Sequence, residues 1–174
     1  MAGNFTISGP ESTGKTYLSM RLATLCKGTW IPEYSRSYLN QLRRSYAPDD
    51  LDNIADGQLE MILRAHEQST GKPLILDTDL LNILVWSELK YGKVSSKIEA
   101  CYRKQPPTHH LLLQADLPWE FDSLRENPFD RAEIFKYFIK TLQFRQLPFT
   151  IIEGFGAKRI NQCIWTMIQK SKFL

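Results

Sequence analysis

The chain has 174 residues, of which 43% are hydrophobic and 24% charged, a globular balance that closes one sizeable core and makes a single domain over residues 1–174 the expectation. Its net charge of +3 and pI near 8.7 are mildly basic, but 22 Lys and Arg are scattered among 19 acids, which argues against nucleic acid or a membrane surface as the main partner and suits a small anionic ligand. Cys26, Cys101 and Cys163 have neither metal-ligand nor paired spacing, and no charged leader or 18-residue apolar run occurs, so a disulfide scaffold, structural zinc, export and membrane spanning are not expected, and a cytoplasmic protein is.

The first apolar run, "NFTI" at 4–7, leads into "GPESTGKT" at 9–16. This matches the G-x-x-x-x-G-K-[ST] phosphate loop in its required context, after a strand and at the start of a helix. Gly9 and Gly14 allow the tight turn that brings backbone N–H groups to phosphate oxygens, and the helix N-terminus adds partial positive charge. Lys15 then reaches the β- and γ-phosphates and Thr16 offers its hydroxyl to Mg²⁺. The expected ATP site is Gly9, Pro10, Glu11, Ser12, Thr13, Gly14, Lys15, Thr16 and Tyr17. Leu18, Leu22 and Leu25 continue with helical spacing.

A second run, "TWIPE" at 29–33, ends on Glu33, where a carboxylate either accepts the proton of an attacking hydroxyl, holds a ribose diol, or forms a surface ion pair with Arg36. Pro48, Asp49 and Asp50 start a helix whose acids oppose the helix dipole, with Leu51, Ile54, Ala55, Leu59 and Ile62 as its apolar stripe. The run "KPLILDTD" at 72–79 puts Asp77 at a strand end, where P-loop sites orient hydrated Mg²⁺. Asp79 follows on the same side if the chain stays extended, facing the second substrate. Both acids also suit a plain helix-capping role.

After "HHLLLQAD" at 109–116 comes an irregular aromatic- and proline-rich stretch, 116–131, at the strand end where open α/β sheets bind ligands. It reads as a lid whose Arg125 and Arg131 either neutralise charge on a transferred phosphoryl group or stay solvated. Helical stripes at Ile134–Leu142 and Ile160–Ile168 flank the last run, "PFTIIEG" at 148–154. Five short apolar runs alternating with helices predict a doubly wound parallel five-stranded α/β sheet. Tyr34, Trp86 and Trp119 either stack on a flat or cationic group or pack in the core. The histidines lack ligand spacing and read as structural.

In order and spacing, "GPESTGKT", "PEYSRSYL", "IADGQLEM", "LILDTDLLNILVWSELKYG" and "LLLQADLPWEFDSLRENPFDR" resemble the ribosylnicotinamide kinase domain of NadR-type bifunctional proteins, over nearly the whole chain. The resemblance implies a P-loop kinase that moves the ATP γ-phosphate to the 5′-hydroxyl of nicotinamide riboside. It implies that Glu33, Tyr34, Arg36, Asp77, Asp79 and Asp122 face the riboside and that Trp86 or Trp119 stacks on its ring. Lys15, Arg125 and Arg131 would stabilise transferred charge, Thr16 and Asp77 hold Mg²⁺, and Glu33 or Asp79 act as base. The sequence lacks the family's H-x-G-H motif, so synthesis of NAD itself is not expected, and neither is repression by a DNA-binding domain. Ser123 stands where the family pattern has glycine, which stiffens the expected lid. Another nucleoside or small metabolite as acceptor, and a non-catalytic nucleotide sensor, are the alternative readings.

Overall fold

The computed structural model describes residues 3–121 and 130–171. Strands β1 (Asn4–Ser8), β2 (Thr29–Ile31), β3 (Leu74–Asp77), β4 (His109–Leu113) and β5 (Phe149–Ile152) form one sheet in the order β2-β3-β1-β4-β5. All four pairings are parallel. Side chains alternate between its faces, as the strand period requires. Ile75, Leu111 and Leu113 point to one face with Phe5 and Ile7, where helices α1 (Lys15–Leu25) and α7 (Gly156–Ser171) cover them through Leu22, Cys163 and Met167. Leu74 and Leu76 point to the other, against α3 (Pro48–Gln68) and α4 (Leu80–Tyr91), with α5 (Ser96–Lys104) beside them. On that same face Leu112 meets α6 (Arg131–Phe144) through Ile134, Phe138 and Leu142. The sheet is therefore doubly wound. Each fully buried Leu or Ile contributes on the order of 1.5–3 kcal/mol of transfer free energy, which is why a five-stranded sheet suffices at this size.

The start of α3 is held more firmly than dipole complementarity alone requires. Asp50 accepts from the Ala47 N–H at 2.7 Å, from Arg44 at 2.7 and 3.0 Å, and from the Tyr38 hydroxyl at 2.8 Å. The Arg44 hydrogen bonds, then the Ala47 N–H, hold its carboxyl well below the usual range despite burial. The short helix α2 (Tyr34–Gln41), α4 and α5 go beyond the predicted stripes. Helix α4 is buried at Leu80, Leu81, Asn82, Ile83, Leu84 and Val85, so it lacks the one-sided period of a surface helix. Among the described residues no helix is long and apolar enough to cross a membrane.

Candidate active site

The phosphate loop spans the turn from β1 to α1. Gly9 has φ 137°, and a Cβ there would lie 2.8 Å from the Leu113 carbonyl of β4, so only glycine fits. Gly14 has φ 79° and caps α1 at its N-terminus, while Ser12, with φ 57°, also takes the left-handed conformation. Thr13 Oγ1 donates to the Pro10 carbonyl at 2.9 Å. Lys15 Nζ crosses the loop, donating to the carbonyls of Gly9 at 3.0 Å and Pro10 at 2.7 Å. These carbonyls hold the ammonium beside the cradle.

Two arginines brace the same loop from outside. Arg159, 4% exposed, donates from Nη1 to the Thr13 carbonyl at 2.6 Å and from Nη2 to the Gln114 carbonyl at 3.2 Å and to Asp116. Asp116 in turn accepts from the Gly154 N–H at 2.5 Å. The phosphate loop and the segment after β4 thus share one guanidinium, and Asp116 links the turn after β5 to it. Arg131, the first residue of α6, donates to the carbonyls of Ser12 at 3.3 Å and Leu117 at 2.9 Å. Ser12 Oγ accepts from the Glu120 N–H at 2.7 Å. Arg131 therefore ties the 116–121 segment to the loop through carbonyls and does not line the cavity in front of it. Asp122, Ser123 and Arg125 lie outside the described residues.

The Thr16 hydroxyl acts on Asp77 at the end of β3, and Asp77 Oδ1 is buried with no partner among the described residues. Burial raises the Asp77 carboxyl to about 6; the Thr16 hydrogen bond opposes this, the Glu33 charge adds to it, and Lys15 and Arg36 oppose it. A hydroxyl beside an orphaned carboxylate oxygen is a hard-oxygen pair that suits Mg²⁺, which takes one or two protein oxygens and completes its shell with phosphates and water. No group of three metal-binding His, Cys, Asp or Glu side chains occurs among the described residues.

A cavity of about 310 Å³ opens from this loop. Thr16 and Lys15 of the loop line it together with Glu33, Arg36 and Trp86 of α4. Arg36 Nε stands 3.8 Å from Glu33 Oε2, and Ser35 Oγ donates to Glu33 Oε1 at 2.8 Å. The ion pair foreseen for these residues exists, and it faces the cavity.

Besides Arg131, three expected site residues lie elsewhere. Asp79 is 0% exposed and points into the sheet. Thr78 between the acids has φ 72°, so the chain is not extended there and the two carboxylates do not share a side. Asp79 caps α4 through the Leu81 N–H at 3.0 Å and accepts from Gln105 at 2.9 Å and Thr6 at 3.3 Å, with His110 Nε2 3.8 Å away. Tyr34 packs its ring on Gly57 of α3 and lies 6.3 Å from the Tyr38 ring. Trp119 stands edge-on to Phe121 at 6.2 Å and does not line the cavity. Conversely, Gln58 and Asn82 line the cavity and were not foreseen. An amide inside the apolar string "LLNILV" is the signal that marks Asn82.

A parallel β2-β3-β1-β4-β5 sheet with the phosphate loop after its central strand is the fold of the P-loop kinases. A family model described as AAA domain matches residues 4–159, and the chain belongs to that P-loop family. It is 26% identical over 155 residues to the trifunctional NAD biosynthesis/regulator protein NadR of Escherichia coli strain K12, covering 84% of this chain and 37% of that protein. A crystal structure of NadR protein in complex with NR aligns at TM-score 0.81 and 19% identity, covering 98% of this chain and 50% of that one. Thymidylate kinase from Ehrlichia chaffeensis aligns at TM-score 0.65 and 14% identity, over 97% of both chains. The chain thus spans half or less of the NadR proteins it matches and nearly all of a compact nucleotide kinase.

Proposed function

We propose that this chain is an ATP-dependent phosphotransferase that phosphorylates the 5′-hydroxyl of nicotinamide riboside, giving nicotinamide mononucleotide. The observation that carries this reading is the single cavity that joins the Lys15 and Thr16 end of the phosphate loop to Glu33, Arg36 and Trp86. The likeness to a NadR protein solved with NR and the identity to NadR support the acceptor. A pyridinium cation suits the face of Trp86, and the ribose diol suits the Glu33 carboxylate.

In the reaction the riboside 5′-oxygen bonds to the γ-phosphorus, the bond to the β–γ bridging oxygen breaks, and ADP leaves with that electron pair. Backbone N–H groups of Thr13 to Thr16 and the Lys15 ammonium bind the phosphates and take up charge that develops on the transferred group. Of the three carboxylates that line the cavity, Glu11, Glu33 and Glu120, we assign the hydroxyl proton to Glu33, which stands beside Arg36; Asp79 is engaged inside the sheet. Thr16 and Asp77 would hold Mg²⁺, which would supply positive charge against the phosphates. Because phosphoryl transfer asks little of the base, the residues act chiefly by position.

Incubating the purified chain with ATP, Mg²⁺ and nicotinamide riboside and following products by mass spectrometry tests this reading. Nicotinamide mononucleotide and ADP should appear in equal amounts, and Lys15→Ala should abolish both while the circular dichroism spectrum stays that of the parent. Turnover of deoxynucleosides with none of the riboside would refute the acceptor; binding of both ligands without product would refute the enzyme.

A further inference from the structure

We infer that Asn82 reads the ring of the acceptor, its side-chain amide pairing with an amide on the edge of that ring inside the cavity. The inference rests on the acceptor proposed above. Asn82 is 4% exposed, in the most apolar stretch of α4, between the buried Leu81 and Ile83. It lines the cavity, and its Oδ1 is buried without a hydrogen-bond partner among the described residues. A polar atom withdrawn from water with no donor is costly to keep, so a ligand that supplies the donor gains binding free energy that an apolar ligand does not.

The surroundings say what kind of ligand that is. Gln58, the other amide at the cavity, already accepts from the Tyr34 N–H at 2.8 Å and donates to the Pro32 carbonyl at 3.4 Å, fixing the start of α2. Among the described residues Asn82 has no such task for its Oδ1. Trp86 lies one turn further along α4 on the same face, and Leu51 and Ile54 line the cavity from α3. Aromatic and aliphatic surfaces with one unpaired amide beside them form a slot for a flat ring carrying a polar group on its edge. A primary carboxamide carries both a donor and an acceptor, so it pairs with Asn82 in either orientation of the Asn82 amide. A ribose belongs nearer Glu33 and the phosphate loop.

The test compares the parent chain with Asn82→Leu, which has similar volume and no amide, by titration calorimetry against nicotinamide riboside and against the pyridinium riboside that lacks the carboxamide. The parent should bind nicotinamide riboside about tenfold or more tightly than the stripped analogue. Asn82→Leu should bind the two alike, and without ligand it should unfold at the parent's temperature or above, since it no longer buries an unpaired amide. Undiminished discrimination by Asn82→Leu overturns the inference. Equal weakening toward both ribosides also overturns it, assigning Asn82 to the sugar or to the shape of the site. Failure of the parent to bind either riboside refutes the acceptor reading, and this inference with it.

Discussion

Replacing Gly57 by alanine sets two effects of opposite sign against each other at one atom. Gly57 lies in the middle of α3, where alanine stabilises a helix by about 1 kcal/mol over glycine. A Cβ at this position, however, would lie 2.3 Å from Tyr34 Cε1, 2.4 Å from Cζ and 2.7 Å from Cδ1. The ring must move, and overpacking of this kind costs about 1–3 kcal/mol. The net expectation is a loss of roughly 0–2 kcal/mol in urea unfolding. The functional effect is sharper. Tyr34 begins α2 and its N–H is held by Gln58, next to Gly57 in sequence, so displacing the ring displaces Glu33 and Arg36 at the cavity. The acceptor KM should rise about tenfold, as expected when a positioning contact is lost, while the ATP KM stays near the parent value. The double variant Gly57→Ala, Tyr34→Ala should recover stability relative to the sum of the single changes, because the clash is gone. A Gly57→Ala chain stabilised by the full helix increment, with unchanged acceptor KM, would refute the reasoning.

Arg159→Ala removes the guanidinium from the phosphate loop and leaves Asp116 without its cation. Asp116 is partly exposed, so the loss should be that of a few buried hydrogen bonds, about 1–3 kcal/mol, and the ATP KM should rise more than the acceptor KM, with Arg159→Lys recovering part of both; equal changes in the two KM values would count against a loop-bracing role. Acid should also weaken the fold. His109, 4% exposed, is held at about 4, below its usual 6.5, first by burial and then by the Lys170 and His110 charges. The unfolded chain therefore takes up a proton below pH 6.5 that the folded chain refuses until about 4, so stability is full above that window and falls as pH drops through it. The loss from His109 is roughly 2–3 kcal/mol, read from urea midpoints at pH 7.5 and 4.5. His109→Gln should flatten the slope, and an unchanged slope would exclude His109 as its source.

The fold was legible because its strands are short apolar runs set apart by turns, and because the phosphate loop announces the first crossover. Helix α4 was not, since burial on all sides erases the amphipathic period that marks a helix in sequence. The site was legible where a residue's neighbourhood follows from chain order: Thr16 follows the loop, Asp77 ends β3, and Glu33 follows β2 on the sheet's ligand edge. It was illegible where a single dihedral decides. Asp79 was expected beside Asp77 by strand alternation, and the left-handed Thr78 sends it into the sheet instead. Arg159 braces the loop from 146 positions away in sequence, and no local pattern carries such a contact.

The sheet order has a consequence for how the molecule comes into being. Strand β1 is both central and the earliest strand in the chain. Its partners on either side begin at Leu74 and His109, paired with Asn4 and Phe5. During synthesis β1 and its phosphate loop emerge long before anything can pair with them, carrying Phe5 and Ile7, which end fully buried. Non-local pairing of this kind slows folding and leaves apolar segments open to association while they wait. The nucleotide cradle, made ahead of both strands that flank β1, closes only after β4 has been made.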